Sequence, residues 1–254
     1  MKPIKDYPLL VFVLSFLLMW ISSRIGGFFK KRKKLEDQTR DDFSIILGSM
    51  LTLLALIIAF SFSMAISRYD QRKNYEEAEA NAIGTEYVRA DILPAKDAER
   101  VRMLLKIYLD HRIQFYETRD EQELFQINAR TAKLQNDLWS AILEPVAIYP
   151  TPPMALVASG MNDVLNSQGY TQAAWWNRIP RAAWVLMIVM AMCCNSVAGY
   201  GMRDSKTERI LCLLLPFVLA ITFFLISDID SPRAYGGVIN ILPENLIALA
   251  ASLP

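Results

Sequence analysis

A chain of 254 residues that is 53% hydrophobic, with a mean hydropathy of +0.22, carries more apolar side chain than a soluble core of that size needs. The excess falls in four blocks of membrane-spanning length, which excludes an ordinary soluble enzyme and points to a polytopic membrane protein. A formal net charge of +1 gives no sign of a nucleic-acid partner, and none is expected.

Residues 1–29 hold the first predicted transmembrane helix, PLLVFVLSFLLMWISS from Pro8 to Ser23, with an extension toward Phe29. A signal peptide is disfavoured, because the apolar run is too long and its basic cluster follows rather than precedes it. Residues 30–43 form a basic cytoplasmic loop headed by KKRKK, Lys30 to Lys34. Such a run can bind anionic lipid headgroups or nucleic acid, and here it reads as a topology determinant.

From Ser44 the chain has no proline until Pro94. Residues 44–67 are apolar enough for a second transmembrane helix, and the following residues are water-soluble in composition yet still helical in pattern. The whole is expected to be one helix of roughly 75 Å, far longer than the hydrocarbon core. Its membrane half carries Gly48, Thr52, Ala55, Ala59, Ser63 and Ser67 at steps of three or four, on one face. A small-residue face is expected to pack against another helix, with a water-lined path past the hydroxyls as the alternative. Beyond the membrane Ala78, Ala82 and Thr85 continue a small face, while Glu76, Glu77, Glu79 and Glu86 point elsewhere. Gly84 is a poor helix former, so a neighbour is expected to approach closely there.

Residues 68–178 are read as an extramembrane helical domain. Pro94 ends the long helix. Val101, Leu104, Leu105, Tyr108, Leu109 and Ile113 mark an amphipathic helix, and Leu124, Ile127, Leu134, Leu138 and Ile142 a second, ended by Pro145. A third helix is expected over Met154 to Asn166. The carboxylates form no catalytic or metal-binding motif and read as a solvated surface, as does the lone His111. Trp175 and Trp176 suit the interfacial aromatic belt at re-entry.

Residues 179–202 form the third predicted span. It contains Asn195, which must act either as interhelical glue or as a pore-facing amide. Residues 203–209 are a short basic loop and residues 210–227 the fourth span, kinked at Pro216. Residues 228–254 are a C-terminal tail, in which Asp228 and Asp230 read as surface charge. Cys193, Cys194 and Cys212 fall inside the spans without metal or redox spacing, so no metal, cofactor or catalytic residue is expected. Both basic loops lie on one side if there are four spans, and that side should be cytoplasmic. The termini and residues 68–178 then face outward, in a bacterium into the periplasm. The fold class is thus an all-α membrane protein, with four transmembrane helices and an extramembrane bundle built from the extension of the second span and inserted helices. Its place is the cell membrane, the inner one in a bacterium.

The stretch SFSMAISRYDQRKNYEEAEANAIGTEYVRADILP, Ser61 to Pro94, resembles the signature of a bacterial family of unknown function described as bestrophin-like domain proteins. Asn81, Gly84, Arg89 and Asp91 stand in its motif, and DIDSPR, with Asp228, Asp230 and Pro232, resembles the family's second signature. The likeness covers most of residues 44–240. The name implies kinship with bestrophins, which are oligomeric anion channels. The resemblance therefore implies a homo-oligomeric ion channel in the lipid bilayer, passing small ions, with Thr52, Ala59, Ser63 and Asn195 as pore or packing residues. The alternative is a non-conducting structural or signalling membrane protein whose helical domain binds a protein partner.

Overall fold

The computed structural model describes the backbone of residues 6–30, 37–201 and 206–254, and the side chains of residues 6–29, 43–201 and 213–254. Lys31 to Lys34 and Arg203 lie outside the described residues, as do the side chains of Lys30, Lys206, Arg209 and Cys212. The charge bias behind the orientation therefore lies there too.

Eight α-helices and one 3-10 turn are described: α1 Pro8–Lys30, α2 Asp37–Arg89, the turn Ala90–Ile92, α3 Ala95–Glu117, α4 Glu121–Ile148, α5 Pro152–Trp176, α6 Arg181–Gly201, α7 Lys206–Asp230 and α8 Glu244–Ser252. No strand occurs among the described residues. Four helical stretches are long and apolar enough to cross a membrane. The chain is an all-α, multi-pass membrane protein. Its α2 is unbroken for 53 residues, about 80 Å at the usual helical rise. The chain divides into two compact units, residues 1–69 with 178–240 and residues 70–177 with 241–254, and α2 contributes to both.

In the first unit α1 packs against α6 and α7. Its core gathers Met19 of α1, Leu54 and Ala65 of α2, Met187, Ala191 and Cys194 of α6, and Phe223 and Ile226 of α7. The tightest crossing is made by reciprocal glycines. A β-carbon added at Gly26 would overlap the Ser196 carbonyl, and one added at Gly199 would overlap the Ser23 carbonyl. With no hydrophobic drive between helices in lipid, such close backbone approach supplies the association through dispersion. Gly48 of α2 plays no such part within the chain, since a β-carbon there would meet nothing within 4 Å.

In the second unit α3 packs on α4 and α8, and α4 on α5. Val101, Leu105, Tyr108 and Leu109 of α3 are buried, and the face extends to Arg112, Phe115 and Tyr116. Ile127, Leu138 and Ile142 of α4 meet it, while Leu124 and Leu134 are half-buried. The Asp120 carboxylate caps α4 by accepting from the backbone N–H of Gln122 at 2.7 Å and Glu123 at 3.2 Å.

Three expectations change. Pro145 does not end α4, which runs on to Ile148 with Pro145 buried in its last turn. The third inserted helix is longer than expected, because Pro152 and Pro153 sit in its first turn, where a missing N–H costs nothing, and it continues to Trp176. The presumed tail is not featureless: residues 241–254 belong to the second unit and form α8.

Gly26→Ala and Gly199→Ala are each expected to destabilise the protein by about 2 kcal/mol or more, because backbone cannot retreat as a flexible side chain can. Melting of detergent-solubilised protein checks this, with Gly169→Ala, inside α5 and with nothing within 4 Å, as the control that should not destabilise.

Candidate functional site

The α2 helix presents two chemically opposite faces. In its apolar half Gly48, Thr52, Ala55, Ala59, Ser63 and Ser67 are all exposed in the single chain. Only 6% of the most apolar window of α2 is buried, against 28% for α1 and 50% for α7. The Thr52 hydroxyl donates to the Gly48 carbonyl at 2.9 Å, so it is satisfied within its own helix. Asn195 lies elsewhere. It is 1% exposed, and its Nδ2 donates to the Ala191 carbonyl at 2.7 Å. The structure leaves Thr52, Ala59 and Ser63 on an open helix surface and does not bring Asn195 to it.

In the second unit, α2 buries charge. Arg72, Glu76, Glu79 and Glu86 follow one another at helical spacing and are buried together with Ile83 and Ala90. The expectation of a solvated acidic surface is therefore overturned for these positions. Each buried polar group must find a partner or bear the cost of lost water, and most do so by holding another element. The Arg72 guanidinium donates to the Ala174 carbonyl at 3.1 Å and the Asn177 carbonyl at 3.0 Å, closing the C-terminal end of α5. Glu76 accepts from the Leu246 N–H at 2.9 Å and from Asn245 Nδ2 at 2.6 Å, capping the start of α8.

Glu79 is the hub. It pairs with Arg112 through Nε and through Nη2 at 3.4 Å, and accepts from Thr171 Oγ1 at 3.1 Å and from the Tyr116 hydroxyl at 3.3 Å. Arg112 stacks over the Phe115 ring at 4.4 Å. Phe115 and Tyr116 in turn pack edge-on against Trp175, with centroids 5.1 and 5.4 Å away. Burial acts to lower the Arg112 pKa, but the charge and hydrogen bond of Glu79 together with Tyr108 and Tyr116 outweigh it, and the guanidinium is held above its ordinary value. Burial, reinforced by Glu79, pushes the Tyr108 and Tyr116 phenols upward and keeps them neutral. Trp175 is thus a core residue rather than a belt residue, whereas Trp176 is 75% exposed.

Glu86 differs from the others. It is fully buried, and neither carboxylate oxygen has a hydrogen-bond partner. Arg89 Nη1 stands 3.8 Å away. Gly160 of α5 is pressed so close that an added β-carbon would overlap the carboxylate. Burial, with Asp163 adding to it and Arg89 opposing it, pushes the Glu86 pKa up to about 8.

The remaining signature residues lie within α2, just beyond it, and at the end of α7. Asn81 is exposed. A β-carbon at Gly84 would lie 3.0 Å from Leu249 Cδ1 of α8, so the helix accepts a poor former where α8 approaches. Exposed Asp91 pairs with Arg102 beyond the end of α2. In the first unit Asp228 and Asp230 are buried, not surface charge. Asp228 Oδ2 accepts from the N–H groups of Val238 at 2.9 Å and Ile239 at 3.0 Å, across a turn that Gly236 enters at a φ of 71°. Asp230 Oδ1 accepts from the Ile179 N–H at 2.9 Å and lies 3.9 Å from Arg68 Nη1. Asp6 pairs with Arg178 and accepts from Ser231 Oγ at 3.1 Å. Pro232 is buried just beyond the last turn of α7. These carboxylates bind backbone and arginine, and no metal-holding group of three His, Cys, Asp or Glu side chains occurs among the described residues. His111 is half-buried, and burial together with Arg130 depresses its pKa against the opposing pull of Asp110.

The Bestrophin-like domain family matches residues 9–246, so the chain belongs to that family. Among solved structures, point variants of a bacterial Bestrophin homolog from Klebsiella pneumoniae resemble it. One has a TM-score of 0.67 at 14% identity, covering 94% of this chain and 99% of that one. A second has a TM-score of 0.68 at 13% identity, covering 96% of each chain. A structure of the same homolog phased with zinc has a TM-score of 0.66 at 13% identity over 97% of this chain. At such identity the likeness concerns the fold. No curated protein matches the chain.

Sequence reasoning missed the buried ladder. A signal is present in the spacing, since Arg72, Glu76, Glu79 and Glu86 share one helix face with Ile83 and Ala90, but composition alone does not separate such a buried face from a solvated one.

Removing one member of the Glu79–Arg112 pair strands the other charge out of water. Arg112→Met is expected to cost about 3–5 kcal/mol. Adding Glu79→Leu should recover most of that loss, and a double-mutant cycle of melting temperatures measures the coupling.

Proposed function

We propose that the protein is a homo-oligomeric, bestrophin-like ion channel whose α2 lies nearest the central axis. The observation that carries this is the open surface of α2. While Leu54 and Ala65 of this span pack into the first unit's core, the stripe of Gly48, Thr52, Ala55, Ala59 and Ser63 is exposed along it, and only 6% of its most apolar window is buried. Small residues in lipid are suited to another helix rather than to acyl chains, and a second copy of α2 supplies one. Hydroxyls and apolar rings can conduct and gate ions without intramembrane charge. Membership of the Bestrophin-like family supports the same reading. The buried ladder of the second unit would hold the extension of α2 in place while the apolar half assembles.

The ions are small ions, and the lipid bilayer is the remaining partner. Glu76, Glu79, Asp228 and Asp230 are occupied with structural partners, and neither they nor His111 form a catalytic constellation among the described residues, so an enzyme is not proposed.

Cysteines introduced at Ala59 and Ala82 should form inter-subunit bridges in native membranes, and native mass spectrometry should return a single oligomer. Purified protein in liposomes should pass small ions, and Thr52→Leu or Ser63→Leu should reduce the flux, whereas Asn195→Leu acts through stability. Silent liposomes that contain intact oligomer would overturn conduction, and absent bridges would overturn the placement of α2.

A further inference from the structure

The buried ladder of α2 leaves one member without a structural task. Arg72, Glu76 and Glu79 each close a hydrogen-bonded contact to α3, α5 or α8. Glu86 closes none, although it is as fully buried as Glu79. A charged carboxylate in that position would face Asp163 of α5 across a contact already too tight for a methyl group at Gly160. Its charge compensation among the described residues is Arg89, at 3.8 Å and with a side chain that is one-third exposed to water. Uncharged, the same side chain fits as a polar but neutral filler of the α2–α5 seam.

We propose that Glu86 is a proton-binding site that makes the packing of α2 against α5 pH-dependent. Protonated, it lets Gly160 close on α2. On losing the proton it needs water or a donor, and the seam must open to admit one. The charged groups acting on it are Arg89 on its own helix, which favours the ionised form, and Asp163 on α5, which opposes it. Burial places the transition near pH 8 instead of at the ordinary value of 4.5. Between those values the folded chain keeps a proton that the unfolded chain has released, so stability falls as pH rises across the window and levels off above it. The site stands on the second unit alone and holds whether or not the protein conducts.

The test is infrared difference spectroscopy of the purified full chain, titrated between about pH 5 and pH 9, with melting temperatures measured across the same range. A protonated-carboxyl band should disappear with a midpoint near pH 8 in the wild type and be missing from Glu86→Gln. The melting temperature of the wild type should fall over the same interval, and that of Glu86→Gln should fall less. Asp163→Asn, at an exposed position, should move the midpoint down, and Arg89→Gln should move it up. If Glu86→Gln does not fold, those two variants carry the test. A band unaffected by Glu86→Gln, identical melting profiles, or a midpoint that neither neighbour moves would overturn the proposal.

Discussion

A carboxylate cut off from water must be given donors, and in this protein that requirement gathers several helices onto α2. Glu79 is reached by Arg112 and Tyr116 of α3 and by Thr171 of α5. Each of these groups brings its helix with it, and the aromatic packing of Phe115, Tyr116 and Trp175 closes around the charge. Burying an ion pair contributes little net stability in itself, because desolvation offsets the Coulomb gain. What it supplies is register. A slip of α3 or α5 along α2 would leave a buried charge without a partner, whereas a slip between purely apolar faces would cost far less.

The same logic extends along the helix. Arg72 holds the end of α5 and Glu76 the beginning of α8, so the last described helix of the chain is fastened to a residue about 170 positions earlier. The membrane half follows a different rule. There α1 and α6 meet through bare backbone at Gly26 and Gly199, and polar side chains such as Thr52 and Asn195 are satisfied by carbonyls of their own helices. One continuous helix therefore runs from a region organised by close packing into one organised by buried charge, which is what the change of solvent along its length demands.

The small residues of α2 and the glycines of α1 and α6 look alike in one dimension. Both are stripes of small side chains in apolar helices, yet Gly26 and Gly199 meet backbone across a crossing while Gly48 meets nothing within 4 Å. The open stripe of α2 has the composition of a contact without the contact, and that mismatch is the physical reason for reading it as a surface that another copy completes.

Hydropathy, helical period and proline placement determined the four spans, the absence of strands among the described residues, and the unbroken passage of α2 from apolar to polar sequence. Those signals are local and survive without knowledge of neighbours. The burial of Arg72, Glu76, Glu79 and Glu86, the inward placement of Asp228 and Asp230, and the return of residues 241–254 to form α8 were decided only in three dimensions. A charged side chain carries the same identity on a wet surface and in a dry seam. What separates the two is whether a distant residue, such as Arg112 for Glu79 or the turn at Gly236 for Asp228, arrives to replace its water.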